Sequence, residues 1–130
     1  MKHIGFTGTR HGLSARQRML LRKLLKESDA THFHHGGCVG ADEEAHAIAK
    51  TAGMTVVAHP SILSQWRGNY TDANVVRPHA HPLRRNKDIV EEVSEMIACP
   101  KERHEKLRSG TWATIRHARK IGRRLTIIDP

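Results

Sequence analysis

The chain has 130 residues, a length typical of a single folded domain. Its 22 lysines and arginines outnumber 13 acidic residues, which gives a formal net charge of +9. No apolar run approaches the roughly 18 residues of a membrane span, and no signal-type segment is recognised. We therefore expect a soluble, cytoplasmic protein with no membrane partner. The charge favours an anionic partner, a nucleotide or a nucleic acid, although solvated basic helix faces would give the same value.

The elements are predicted in chain order from hydrophobic periodicity and from cap and turn residues. The first half reads as strand KHIGFTG, helix SARQRMLLRKLLKE with a capping box at Ser14 and Gln17, strand THFHH, helix GADEEAHAIAKTAG and strand MTVVAHP. The second half reads as helix RRNKDIVEEV, strand EMIACP, helix TWATIRHARKIG and strand RLTIIDP. Between the halves, residues 60–82 lack a clear period, which favours a ligand-covering loop or an added hairpin.

This alternation of strands and helices predicts an α/β fold. We expect a Rossmann-like three-layer sandwich with a mainly parallel sheet of about five strands, in the order 3-2-1-4-5, forming one domain over residues 1–130. In such sheets ligands bind beyond the carboxyl ends of the strands, where the strand order reverses. The site is therefore predicted between the first and fourth strands.

Three glycine-bearing segments converge on that edge of the predicted sheet: GFTGTR, HHGGCVGAD and LRSGTW. Glycines let backbone N–H groups approach a ligand, a helix N-terminus adds unpaired donors, and hydroxyl and guanidinium groups add side-chain donors. The pattern is typical of a phosphate site, although helix caps use the same residue types. The predicted ligand-binding residues of these segments are Gly8, Thr9, Arg10, Gly36, Gly37, Gly40, Asp42, Arg108, Ser109, Gly110 and Thr111.

Two pairs of side chains near this edge have two interpretations each. Asp42 either complements the dipole of its helix or binds ligand hydroxyls such as those of a ribose. His46, four residues further along the same helix face, forms either a structural hydrogen bond or an acid/base pair with Asp42. Trp66 and Tyr70 either stack on a base or anchor the long loop to the core.

Residues from the second half of the chain complete the predicted site. Arg85 and Asn86 reach the crevice from the start of the third main helix, or else belong to a solvated basic turn. Glu102 and Glu105, just before LRSGTW, are the carboxylates best placed for acid/base work, or else are ordinary solvated charges.

The cysteines and clustered histidines predict no metal and no cofactor. Cys38 and Cys99 lie far apart in sequence and form no CxxC pattern, so we expect two buried cysteines that behave as small hydrophobes. His32, His34 and His35 share one predicted strand, whose alternation sends neighbouring side chains to opposite faces. No second ligand set has the spacing of a metal site.

Taken together, these segments resemble the SLOG superfamily, which unites the DNA-processing protein DprA, the Lonely Guy (LOG) phosphoribohydrolases and the YpsA-like proteins. The resemblance covers most of the chain and is nearest to compact, YpsA-like bacterial or phage members. The matching positions are Gly8, Arg10, Gly40, Asp42, Ala45, His46, Arg85, Asn86, Ser109, Gly110, Thr111, Thr114, Ala118, Gly122 and Arg123.

The resemblance implies a Rossmann-like fold that holds nucleotides, nucleotide-derived ligands or, in DprA, single-stranded DNA. LOG enzymes carry a PGGxGTxxE motif whose glutamate serves hydrolysis of an N-glycosidic bond. Gly110 and Thr111 match this motif, but residues 106–108 (KLR) stand in place of its proline and two glycines, and Thr114 stands in place of the glutamate. This departure argues against LOG chemistry unless a neighbouring glutamate substitutes.

The sequence supports three hypotheses of function. The first is a module that binds a nucleotide or a nucleotide-derived phosphorylated small molecule at the three loops. The second is a hydrolase of the N-glycosidic bond of nucleoside monophosphates, with Glu102 or Glu105 as acid or base. The third is single-stranded DNA binding through Arg116, Arg119, Lys120, Arg123 and Arg124. A homo-oligomer is compatible with each.

Overall fold

The computed structural model describes residues 1–130 and contains six strands and four helices. The strands are β1 (His3–Gly8), β2 (His32–His35), β3 (Thr55–Ala58), β4 (Val75–Val76), β5 (Glu95–Cys99) and β6 (Arg124–Ile127). The helices are α1 (Ala15–Glu27), α2 (Ala41–Thr51), α3 (Pro82–Glu92) and α4 (Gly110–Lys120). None of the four helices combines the length and the apolar composition of a membrane span.

All six strands are parallel and lie in the order β4-β3-β2-β1-β5-β6. The five predicted strands take the predicted order, so the order reverses between β1 and β5 as expected. The count of about five was one too low, because the 60–82 segment contributes the two-residue edge strand β4. That segment adds a parallel edge strand to β3 rather than a hairpin.

Alternation along the central strands divides the core between the two faces of the sheet. On β5, Ile97 and Cys99 pack on the side of α1 and α2, whereas Met96 and Ala98 pack on the side of α3 and α4. Adjacent side chains of a strand point to opposite faces, so one short apolar strand serves both helical layers. Cys99 is fully buried as predicted, and Cys38 is half-buried.

The first helix is fixed to the carboxyl edge of the sheet through its cap. Ser14 and Gln17 form the predicted capping box. The buried Gln17 amide also donates hydrogen bonds to the carbonyl oxygens of Pro100 and Ile128, which follow β5 and β6. Gln17 therefore stabilises the edge at which the candidate site lies.

Candidate functional site

A cleft of about 590 Å³ opens at the carboxyl ends of β1, β2 and β5, where the strand order reverses. Its walls come from the turn after β1, the turn after β2, residues 61–67, the start of α3 and the loop that leads into α4. All the predicted ligand residues line this cleft except Gly40. Of the two predicted acid/base carboxylates, Glu102 lines it and Glu105 does not.

The N-terminus of α4 supplies unpaired donors to the cleft. Ser109 is the N-cap, and its hydroxyl oxygen accepts a hydrogen bond of 3.2 Å from the Trp112 N–H. The backbone N–H groups of Gly110 and Thr111 donate no hydrogen bond within the protein. A side chain added at Gly110 would meet no protein atom within 4 Å, so this turn borders open space.

The turn after β1 is held rigidly by its own hydrogen bonds. The Thr9 N–H donates to the Cys99 carbonyl, and the Thr9 carbonyl accepts from the N–H groups of Gly12 and Ala41. The Thr9 hydroxyl oxygen accepts from the His11 N–H at 3.1 Å. Thr9 is therefore buried scaffold at the base of the cleft, with Arg10 exposed beside it.

Two predicted glycines have a packing role. A Cβ at Gly8 would lie 2.6 Å from that of Ala41, so its absence lets β1 approach α2. Gly40 has φ of +83°, and a Cβ there would overlap the Arg10 carbonyl. The expectation that Gly40 faces the ligand is corrected: it permits the contact between the β1–α1 and β2–α2 turns.

The turn after β2 is clamped by two buried side chains that were predicted to face a ligand. The Asp42 carboxylate accepts hydrogen bonds from the N–H groups of Gly36 and Cys38, at 3.1 and 3.2 Å. The Arg85 guanidinium donates to the carbonyl oxygens of Gly36 and His59. Burial raises the pKa of Asp42 to about 6, against the opposing charge of Arg85. Both residues line the cleft, and both shape its floor.

Removing the Asp42 carboxylate should loosen this turn. Asp42→Ala leaves two backbone donors in a buried region without an acceptor and is expected to lower the free energy of unfolding by about 2 kcal/mol. Asp42→Asn keeps one acceptor oxygen and should cost less than half as much. Urea denaturation of both variants at pH 7.5 measures the difference; an alanine variant as stable as the parent would show that the carboxylate does not hold the turn.

His46 does not pair with Asp42. His46 Nδ1 lies 2.9 Å from His35 Nε2, and His46 Nε2 lies 2.5 Å from the Asp72 carboxylate. Because the Gly37 N–H donates to His35 Nδ1, the ring proton of His35 must sit on Nε2 and point at His46. His46 in turn donates to Asp72. Of the two interpretations of His46, the acid/base pair with Asp42 is wrong. The residue instead belongs to a structural hydrogen-bonded chain that joins the floor of the cleft to the 60–82 segment.

A second histidine chain lies on the opposite face of the sheet. His34 bridges His3 and His59, with ring nitrogens 2.8 Å apart in each pair. The ligand atoms of His34, His59 and Glu92 lie within 4.8 Å of one another. The two rings bond to each other, however, and Arg77 pairs with Glu92 at 2.6 Å. We assign no metal to this cluster.

The predicted catalytic carboxylates are both engaged. Glu105 pairs with Arg116 at 2.7 Å, away from the cleft, so its predicted place near the reacting bond is corrected. Glu102 lies at the cleft, and its carboxylate accepts a hydrogen bond from Trp112 Nε1 at 3.2 Å.

Two of the five basic residues predicted to bind DNA are engaged in contacts within the protein. Arg116 donates to carbonyl oxygens of the loop before α4 as well as to Glu105. Arg123 donates to the carbonyl oxygens of Val90 and Glu91 at the end of α3. These two guanidinium groups tie elements together.

Sequence reasoning missed part of the cleft wall. The additional lining residues include Ser61, Gln65, Arg67 and Lys101. The aperiodic 60–82 segment was expected to be a ligand-covering loop or an added hairpin, but nothing in its pattern indicates which residues turn inward. The segment is held at the cleft by a hydrogen bond to a residue distant in sequence: the Gly68 N–H donates to the Gly37 carbonyl at 2.8 Å.

No protein-family model and no curated protein matches the sequence. Solved structures do match its fold. The molybdenum cofactor binding protein from the phototrophic bacterium Rippkaea orientalis superposes with a TM-score of 0.75 at 18% identity, over 99% of this chain and 77% of that one. The Moco carrier protein from Chlamydomonas reinhardtii gives 0.71 at 18% identity over the same shares.

A third match is DNA processing protein A from Helicobacter pylori, described for its single-stranded DNA binding mode. It has a TM-score of 0.67 at 16% identity, over 97% of this chain and 64% of that chain. At these identities the likeness concerns the fold. It agrees with the resemblance drawn from the motifs at residues 8–10, 36–46, 84–90 and 108–123. The chain therefore shares the parallel α/β fold of these three proteins.

Proposed function

We propose that the cleft binds a nucleotide or a nucleotide-derived phosphorylated small molecule, with its phosphate on the first turn of α4. The observation that carries the proposal is the pair of unpaired N–H groups at Gly110 and Thr111, at the start of an 11-residue helix that opens on the cleft. A helix N-terminus combines free donors with a partial positive charge, which suits an anion.

The charge of the lining supports the same ligand class. Its acidic members are Asp42, which is clamped to the backbone, and Glu102. Its basic members are Arg10, Arg67, Lys101, Lys106 and Arg108, together with Arg85, whose guanidinium is clamped to backbone carbonyl oxygens. Arginine forks bind phosphate oxygens in a bidentate manner. The volume of about 590 Å³ lies within the range of about 300–1,000 Å³ that small-molecule sites occupy.

The similar structures are consistent with ligand binding on this fold. Two are named for binding or carrying a molybdenum cofactor, and one for binding single-stranded DNA. Binding is favoured over hydrolysis of an N-glycosidic bond because Glu105 is paired outside the cleft and Glu102 is bonded to an indole. Hydrolysis needs a carboxylate free to exchange a proton near the anomeric carbon.

Calorimetry with a panel of phosphorylated and phosphate-free compounds tests the proposal. The panel comprises 5′-AMP, 5′-GMP, ADP-ribose, a cyclic dinucleotide and adenosine. At least one phosphorylated member should bind, and adenosine should bind about tenfold or more weakly than 5′-AMP, because it cannot use the charge-assisted bonds at α4. Arg108→Ala should weaken binding, whereas Arg124→Ala, on an exposed position of β6, should not. Equal affinity for adenosine and 5′-AMP, or no binding at all, would contradict the proposal.

Single-stranded DNA is a second candidate, favoured by the basic rim of the open cleft. Phosphate-driven binding to a polymer weakens steeply with salt, because several counterions are released together. A labelled oligothymidylate that shifts in a gel, and whose affinity falls much faster with salt than that of 5′-AMP, would support this candidate. A flat salt response would exclude it.

A further inference from the structure

Trp66 has a backbone conformation that is unusual for its side chain. It is the one non-glycine residue with a positive φ, at +66°. It stands third in a turn in which the Arg67 N–H donates to the Ser64 carbonyl at 3.2 Å. Glycine or asparagine normally fills such a position, and a bulky residue there is strained. Because glycine would relieve this strain, we expect the tryptophan side chain to have a role that glycine could not fill.

The surrounding backbone holds this turn against the cleft. The Val39 N–H donates to the Trp66 carbonyl at 2.8 Å, and a backbone bridge joins Cys38 to Arg67. These contacts use main-chain atoms, so they would persist with glycine in place of Trp66. The indole is therefore not required to position the turn.

The indole of Trp66 is also the aromatic side chain least used by the protein. Tyr70 packs against Gly37, with ring atoms 2.9 Å from where a Cβ would be. Trp112 is buried, and its Nε1 donates to Glu102. Trp66 is 48% exposed and lines the cleft. Of the two roles considered for these aromatic residues, Tyr70 therefore anchors the segment, and Trp66 faces the site.

Arg10 covers the ring of Trp66. Its guanidinium carbon lies 4.1 Å from the ring centroid, in a cation–π contact. Arg10 is exposed, and its side chain makes no hydrogen bond within the protein. Such an arginine can leave the ring at little cost and pair with a ligand phosphate instead.

We infer that Trp66 is the stacking platform for the base of the bound nucleotide, and that the base takes the place which the Arg10 guanidinium occupies over the indole. The inference rests on the proposed function and adds to it that the ligand carries a flat heterocycle. Stacking strength grows with the shared π-surface, so purine nucleotides should bind more tightly than pyrimidine nucleotides. Arg10 then serves the phosphate.

The test compares 5′-AMP with ribose 5-phosphate on the parent protein and on Trp66→Gly. The parent should bind 5′-AMP about tenfold or more tightly than ribose 5-phosphate, because the latter has no base to stack. Trp66→Gly should reduce 5′-AMP affinity to that of ribose 5-phosphate and leave the latter unchanged. Its melting temperature should equal or exceed that of the parent, because glycine accepts a positive φ without strain. Tyr70→Leu is the control, expected to lose stability rather than base selectivity.

The possible results distinguish a failure of base stacking on Trp66 from a failure of the proposed phosphate site. If both ligands bind the parent equally, or if Trp66→Gly weakens both to the same extent, Trp66 does not recognise a base and the inference is overturned while phosphate binding stands. If neither ligand binds the parent, the inference is overturned, and the proposed function fails with it only when no other phosphorylated member of the calorimetric panel binds. Quenching of the parent's fluorescence by 5′-AMP that persists in Trp66→Gly would come from Trp112 and would also count against stacking on Trp66.

Discussion

Acidification from pH 7 to pH 5 is expected to lower the free energy of unfolding by about 4 kcal/mol. The cause is a set of histidines buried in their neutral form. Burial lowers the pKa of His34 and of His35 to about 3, and that of His59 to about 4. The unfolded chain binds protons at these positions near pH 6.5, whereas the folded chain does not. The stabilisation that comes from keeping these histidines neutral is therefore fully present above pH 6.5. It is lost progressively as the pH falls below 6.5 towards the lowered pKa values.

The sign of the net effect follows from two opposing contributions. Each histidine destabilises the fold by about 2 kcal/mol over this range. Nearby cations, including Arg77 beside His59, act in the same direction as burial. Asp42 acts in the opposite direction: its raised pKa of about 6 means that the folded protein takes up a proton before the unfolded chain does, which returns about 1 kcal/mol. Three histidines outweigh one carboxyl group.

Urea denaturation at pH 7 and pH 5 measures this effect. His34→Gln should flatten the pH dependence, because one buried imidazole is removed, even if the variant is less stable at pH 7. His104→Gln, in the exposed loop before α4, is the matched control and should keep the full dependence. Equal stability of the parent protein at the two pH values would contradict the buried neutral histidines.

Ser109→Asp is expected to weaken binding of 5′-AMP about a hundredfold or more while preserving the fold. Aspartate is as good an N-cap as serine and favours the positive end of the helix dipole. It would, however, place a carboxylate beside the free N–H groups of Gly110 and Thr111, where the phosphate is proposed to lie. Repulsion between the two anions then opposes binding in a cleft that is partly shielded from water.

Ser109→Asn separates charge from shape in this experiment. Asparagine also caps helices and is close to aspartate in size but carries no charge. It should reduce 5′-AMP affinity only a few-fold, with a melting temperature near that of the aspartate variant. Similar affinities of the two variants would show that no anion lies on the first turn of α4.

Much of the fold could be predicted because its signals are local and repetitive. The capping box at Ser14 and the apolar alternation of β5 each specify one element, and parallel βα alternation leaves few topologies. Strand β4 could not be predicted, because Val75 and Val76 are two exposed residues in an aperiodic segment. Their pairing with β3 depends on the tertiary path of residues 60–82.

The position of the site in the fold could be predicted more fully than the contacts that its side chains make. Strand ends fix which loops converge, so the three glycine-bearing segments met at the cleft as expected. The direction of a side chain within a loop depends on partners distant in sequence. Asp42 turned to the backbone of its own loop, and Arg85 reached Gly36 across 49 positions. The His34–His59 contact likewise depends on the register of β2 against β3.

The central claim, a phosphate on the first turn of α4, is tested most directly by the amide resonances of that turn. In ¹⁵N-labelled protein titrated with 5′-AMP at pH 7.5, the amide protons of Gly110 and Thr111 should move downfield and saturate together with those of Arg10, because these donors gain a phosphate acceptor or lie beside it. Titration with adenosine should leave the Gly110 and Thr111 signals in place. Shifts confined to Arg119, Lys120 and Arg124 at the far end of α4 and on β6, or no shift at Gly110 and Thr111, would contradict the account.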